Sequence, residues 1–342
     1  MKVASASLAR RWLVVAGGLS LVTLLLYDVG YAQALLREYV THTFFKTTPF
    51  VVPPFKFTSD PTFRPSALTS LSVSDPTTTH EHCRVQFVFA GTKYDYNQFP
   101  SMQSWIRMAD ARCEIAFMRP YQPFLAHLAP AEKAMFDDTA YLPILQADLM
   151  KLLVLYYRGG LVTDLDVEAR KPFPANWTGP TTLLATCDVV LGIEVQCFDA
   201  YCAKTMARKG QIQNWSMWAR RRHSVFLGQL IEYVVAKYKL FPSHDPDVAV
   251  QEVAGSGTIT DFVQLYGDFD GVPFYKVPTT LDNRTLASDW ASILRIHKAA
   301  EEVCVLGPMW TGGQCGGHPK CLLSHKYEGS WRQPAVKTEW DN

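Results

Sequence analysis

Charge of one sign is the first thing this chain has little of. Thirty-three basic and 32 acidic residues leave a net charge of +1, which excludes the basic surface that a nucleic-acid binder needs to grip phosphate. Charge is sparse altogether, at 19% of residues against 48% hydrophobic. That balance suits a globular body with a buried core. Internal repeats and low-complexity blocks are also missing. No long uninterrupted apolar run exists either. The best stretch, Trp12–Tyr27, falls short of the about 20 residues of a spanning helix. It can lengthen through residues 29–34, at the cost of including Asp28.

Lys2, Arg10 and Arg11 precede that stretch. Basic residues stay on the cytoplasmic side, so the bulk of the chain is expected to face a lumen. A cleaved signal peptide with Ala32 near the cut is the competing reading. Both readings send the remainder into the secretory pathway. The expected organisation is a cytoplasmic tail (1–11), a signal-anchor segment (12–34), a stem (35–80) and one catalytic domain (81–342). The stem is read from Thr47-Thr48-Pro49, Pro53-Pro54, Asp60-Pro61 and Asp75-Pro76, which break regular structure repeatedly.

What the chain does have fits that compartment. Cysteines at 83, 113, 187, 197, 202, 304, 315 and 321 make an even count, for which 105 pairings exist. Local pairs are the simplest: Cys315 with Cys321, Cys197 with Cys202, and Cys83 with Cys113. The pattern Cys315-x-x-His318-x-x-Cys321 also resembles a zinc site, but an oxidising lumen favours the disulfide. Asn176-Trp177-Thr178, Asn214-Trp215-Ser216 and Asn283-Arg284-Thr285 are N-glycosylation triplets, of which Asn283 is the best acceptor. Nine Trp and fifteen Tyr are read chiefly as core packing.

From residue 84 the pattern alternates. Strands are expected at 85–90, 114–118 and 161–163, with helices at 101–109, 130–137 and 143–158. Pro130 and Pro143 fit first helical positions. Strand–helix alternation argues for an α/β sheet, in which ligands bind at the carboxyl ends of strands.

The most informative run is residues 147–166. Leu145, Leu149, Leu152, Leu153 and Tyr156 recur at helical spacing, and Asp148 and Lys151 lie one turn apart. Gly159-Gly160 ends the helix. A short apolar strand follows and closes on Asp164-Leu165-Asp166. In a strand, residues i and i+2 share a face, so the two carboxylates are expected to converge. Such hard oxygen ligands suit Mg²⁺ or Mn²⁺, which bring phosphate oxygens as further ligands.

This run resembles the signature of the DXD-containing glycosyltransferases with a GT-A fold, in particular the fungal outer-chain initiating α-1,6-mannosyltransferases. Lys151 stands where that family usually has Arg. Three further segments resemble the family in order: Gln211–Ala219 with His223, Gly255–Asp261, and Ser324–Arg332. The resemblance implies an α/β, GT-A-like Rossmann-type mixed sheet flanked by helices. It implies a nucleotide-sugar donor, GDP-mannose in preference, with retention at the anomeric carbon and Mn²⁺ (or Mg²⁺) as cofactor. The acceptor would be a glycan, an N-glycan in preference, or a glycolipid. The location would be the Golgi membrane, single-pass type II, with assembly into a transferase complex left open.

The resemblance also distributes roles. Asp166 is the first direct metal ligand. Asp164 binds ribose or reaches the metal through water, and His325 is the third protein ligand. Ser330 and Trp331 contact the diphosphate. Asp148 hydrogen-bonds donor sugar or ribose, and Lys151 sits near the phosphates as a point charge, without the bidentate fork of Arg. For Asp148 and Lys151 an exposed ion pair is the plain alternative. From their position past the metal strand, Glu194 and Asp188 are read as acceptor-side carboxylates, with Glu194 the candidate for catalysis and ordinary loop acids as the plain alternative. His223, after Arg220–Arg222, is a candidate for binding acceptor or phosphate, with a solvated basic turn as the plain alternative. Rival readings are a UDP-sugar galactosyl- or N-acetylglucosaminyltransferase, a sphingolipid mannosyltransferase (disfavoured by the polar tail 333–342), and an inactive glycan-binding or scaffold protein.

Overall fold

Residues of alternate parity along the central strands go to opposite cores. Val85 and Phe87, Leu161, Val190, Cys304 and Leu306 face one cluster, while Val88, Val162, Val189, Leu191, Val303 and Val305 face the other. That is the period-2 signature of a sheet covered on both faces. The computed structural model describes residues 83–90, 100–199, 206–241, 244, 250–279, 286, 288–289, 291–299, 301–313 and 315–326. The expected tail, anchor and stem, together with Asn283, Cys202, Ser330 and Trp331, lie outside the described residues. No helix among the described residues is long and apolar enough to cross a membrane.

The chain runs β1 (Arg84–Val88), α1 (Pro100–Met108), β2 (Glu114–Met118), α2 (Pro130–Asp138), α3 (Pro143–Arg158), β3 (Gly160–Thr163), β4 (Val167–Ala169), β5 (Val189–Gly192) and β6 (Ser216–Ala219). Then follow α4 (Val225–Tyr238), α5 (Val250–Val253), α6 (Ser256–Gly267), β7 (Ile293–Lys298), β8 (Glu301–Leu306), α7 (Pro308–Thr311) and β9 (Leu323–His325). Seven strands form one sheet in the order β2-β1-β3-β6-β5-β8-β7, and β4 pairs with β9 in a separate ribbon. β1 is parallel to both β2 and β3; β6 is antiparallel to both β3 and β5. The sheet is therefore mixed, as expected, and β3 lies at the seam between its parallel and antiparallel parts.

α3 is buried almost all round, from Leu145 to Tyr157. Its apolar stripe was the visible part of a helix that packs in the interior. Gly159 and Gly160 both take positive φ, 65° and 83°. A side chain at 160 would come within 2.7 Å of Arg84 Cβ, so glycine is required there for the helix to turn straight into β3. On the opposite face of the sheet Trp105, Trp177, Trp218 and Trp310 pack together with Phe173. The tryptophans among the described residues are thus core, as expected.

Disulfides tie the domain at distant points. Cys83–Cys113 and Cys315–Cys321 form as expected. Cys197 is disulfide-bonded. Cys187–Cys304, which joins the entry of β5 to β8 across 117 residues, has no local signal in the sequence. With Cys315 and Cys321 bonded to each other, the zinc reading of Cys315-x-x-His318-x-x-Cys321 fails for want of thiolates.

Candidate active site

β3 stops at Thr163, and Asp164-Leu165-Asp166 forms the turn into β4. A shared strand face is therefore not what brings the carboxylates together; the turn is. It is closed by the Val167 N–H donating to Asp164 O at 3.2 Å, and the Asp164 N–H donates to Trp215 O at 2.9 Å. β9 then runs antiparallel to β4 with His325 opposite Val167. The Lys326 N–H donates to Asp166 O at 3.0 Å. The result is a three-residue constellation: one ligand atom each from Asp164, Asp166 and His325, all within 4.8 Å of one another. His325 Nε2 is 3.3 Å from Asp166 Oδ1. The imidazole stacks on the Trp215 indole, with centroids 4.8 Å apart and planes 18° apart. Two carboxylates and an imidazole converging from a turn and a strand form a donor set that Mn²⁺ or Mg²⁺ accepts, so the residues fit a divalent ion.

Behind this constellation stands α3. Lys151 Nζ is 2.7 Å from Asp164 Oδ1 and 3.2 Å from Asp148 Oδ1. Asp148 and Lys151 are 5% and 3% exposed, which rules out the exposed ion pair. Burial pushes the Asp148 carboxyl up to about 6, although Lys151 pulls it down. Burial likewise raises Asp164, against the pull of the same ammonium. Burial alone would lower Lys151, but the two carboxylates outweigh it and raise the ammonium above its usual range. The Lys151 ammonium is thus engaged by carboxylates, where the sequence suggested a charge turned towards phosphates.

Asn214 completes the group. Its side chain hydrogen-bonds to Asp148, and Ser256 Oγ lies 3.4 Å from Asn214 Oδ1. A side chain at Gly255 would come within 3.2 Å of Asp148 Oδ2, so the start of α6 closes on the site by backbone. The sequence marked Asn214 only as part of a glycosylation triplet and gave neither it nor Trp215 a place in the site. The available signal was their place between Gln211 and Ala219, one of the four ordered segments.

Glu194 lies just beyond the carboxyl end of β5. β5 and β3 are both antiparallel to β6, so Glu194 is at the same edge of the sheet as Asp164. Its carboxylate accepts a hydrogen bond from Gln211 Nε2 at 2.7 Å. Asp188 and His223 are placed otherwise. Val189 and Gly160 both pair with Ala219, so Asp188 sits at the glycine-pair end of the sheet. It accepts from the Glu302 N–H at 3.0 Å and from Arg221 Nη2 at 3.1 Å. The His223 N–H donates to Tyr156 O, and its ring packs edge-on against Tyr156 and Tyr157. Both belong to the opposite end from the Asp164 turn, which corrects the expectation that they face an acceptor. Proximity to the motif along the chain could not reveal which end of a strand each occupies.

The fold and the carboxylate couple lead to a class. Residues 73–184 match the family described as "glycosyltransferase sugar-binding region containing DXD motif", so the class that this part of the chain resembles is that of the DXD-containing glycosyltransferases. The resemblance read from the four segments holds for particular relatives as well. The chain is 28% identical over 196 residues to an initiation-specific alpha-1,6-mannosyltransferase of Schizosaccharomyces pombe, covering 56% of this chain and 48% of that protein. It is 23% identical over 220 residues to the protein of the same name from Candida albicans, covering 56% and 55%. The chain thus spans about half the length of the curated relatives it matches. Among solved structures, the PaToxG glycosyltransferase overlaps 54% of this chain and 69% of its own at a TM-score of 0.36 and 14% identity. Mouse xyloside xylosyltransferase 1 overlaps 54% and 81% at a TM-score of 0.29 and 11% identity.

Proposed function

We propose that this chain transfers a hexose, mannose from GDP-mannose in preference, onto a glycan acceptor, with retention and with a divalent cation. The observation that carries the reading is the convergence of Asp164, Asp166 and His325 within 4.8 Å at the carboxyl end of β3, where α/β sheets bind ligands. Asp166 and His325 would hold the ion, with Asp164 at its side. When bound, the ion supplies Lewis-acid stabilisation of the charge left on the departing diphosphate. The chain's own residues do the rest. Asp148, fixed by Lys151 and Asn214, offers a hydrogen-bond acceptor to a donor hydroxyl. Trp215 holds the imidazole plane in place. Glu194 stands on the same edge as the acceptor-side carboxylate.

The relatives named for mannosyl transfer support the sugar, and the disulfides support an oxidising compartment. A Golgi type II location, an N-glycan acceptor and membrane anchoring through residues 12–34 belong to the same proposal. The test is donor hydrolysis by the purified chain with Mn²⁺ and a panel of GDP- and UDP-sugars. Turnover of GDP-mannose is expected. Turnover of a UDP-sugar alone would replace the donor, and neither turnover nor nucleotide binding would leave a scaffold protein.

A further inference from the structure

Lys151 is placed so that it must compete with the ion it stands beside. Its ammonium, 2.7 Å from Asp164 Oδ1, holds one oxygen of a carboxylate in the metal-fitting trio. Its side chain is 4% exposed and rises from a helix buried almost all round, so the ammonium is held away from water beside the two carboxylates. A divalent ion seated among Asp164, Asp166 and His325 would find a fixed positive charge as its neighbour and one oxygen of the adjoining Asp164 carboxylate already engaged. Both obstacles are electrostatic, and both are offset by anionic phosphate oxygens entering with the ion.

We propose that Lys151 is a resident counter-cation for Asp164, and that it makes this site take its divalent ion together with a nucleoside diphosphate rather than as the free ion. Lys151 is on this account a positioning residue. It keeps Asp164 oriented and its charge balanced while the site is empty, and it sets the order in which metal and donor arrive. A guanidinium, as in the family this chain resembles, would spread its charge over a planar fork; an ammonium concentrates it on one atom beside one oxygen. The inference rests on the reading of the trio as the donor-side metal site.

The test uses the full chain and calorimetric titration, with Mn²⁺ alone and then with preformed Mn²⁺–GDP and Mn²⁺–UDP. Thermal melting under the same conditions gives a second readout. For the wild type, the complexed ion should bind at least about tenfold more tightly than the free ion, a difference of about 1.4 kcal/mol. Lys151→Gln should bind free Mn²⁺ about tenfold more tightly than the wild type does and lose most of the advantage of the complexed ion. Lys151→Arg keeps the positive charge and should retain the preference for the complex. Equal wild-type affinity for free and complexed Mn²⁺ overturns the inference, and this arm needs no variant to fold. Unchanged free-ion affinity in Lys151→Gln overturns it as well. If no protein binds Mn²⁺ in any form, the metal reading of Asp164, Asp166 and His325 falls, and this inference falls with it.

Discussion

Among the described residues, Lys151 and Lys237 are each buried against a pair of carboxylates, and their surroundings differ in one respect. Lys237 Nζ lies 3.7 Å from Glu252 Oε2 and 3.4 Å from Asp261 Oδ2. Arg208 reaches the same two residues, with both terminal nitrogens 2.8 Å from Glu252 and with Nε and Nη2 at 2.6 and 2.7 Å from Asp261. Two cations therefore meet two anions, and the forked guanidinium satisfies the geometry of both carboxylates. At Lys151 one ammonium meets Asp148 and Asp164, and Asp166 stands two residues beyond Asp164. Among the described residues carboxylates outnumber cations at that site. A balanced network is a strut: the Arg208 group fastens the segment that carries Gln211, Asn214 and Trp215 to α5 and α6. An imbalanced one, left anionic beside an imidazole at a strand end, is a place that draws a cation.

The largest expected effect breaks the comparison on the anionic side. On the proposed function, Asp166→Asn should lower GDP-mannose turnover by about 10³-fold, since a bound ion's stabilisation of leaving-group charge would amount to several kcal/mol. Initial rates with Mn²⁺ check this, and wild-type rates in the variant would remove Asp166 from the metal. On the balanced side the loss should be in stability. Arg208→Ala leaves Glu252 and Asp261 with Lys237 alone and should cost about 3 kcal/mol, the scale of a broken buried pair. Urea unfolding measures it, and an unchanged midpoint would show the network to be idle.

A smaller effect separates anchoring from folding. Replacing Cys315 and Cys321 together by Ser opens a loop of sequence separation 6, which the loop-entropy model values at about 2 kcal/mol. The same loop leads directly into β9, so Mn²⁺–GDP affinity should fall more than the stability loss requires. Calorimetry on the folded variant decides this.

The smallest effect comes from a third charged group, at the opposite end of the sheet. Burial raises the Glu302 carboxyl, but the Thr186 hydroxyl and the Arg295 guanidinium bring it below its ordinary value. A carboxyl lowered on folding contributes stability that is present above its unfolded pKa and lost as pH falls through the folded one. The wild type should therefore lose stability below about pH 4, and Arg295→Gln should flatten that acid limb in urea unfolding followed against pH.

Much of the first half of the domain was legible because its signals are local. Pro130 and Pro143 mark helix starts, the glycine pair marks a helix end, and the elements from β1 to β3 lie within about two residues of expectation. β5 to β9 carry fewer such marks, because their pairing is decided by partners far away: β5 with β8, β4 with β9. Cys187–Cys304 escaped for the same reason. In the site, Asp164, Asp166 and His325 were legible through the order of four segments. The role of Lys151 was not, because helical spacing places it beside Asp148 but says nothing of Asp164 on another element. Asp188 and His223 were misplaced because a one-dimensional reading cannot tell the two ends of a strand apart.

The pairing of β4 with β9 has a consequence for synthesis. Asp164 and Asp166 leave the ribosome well before the histidine that joins them, which is among the last of the described residues to emerge. During translation the acidic turn is therefore without its third corner, and a nascent chain halted before residue 325 would carry a finished sheet but only two of the three converging side chains.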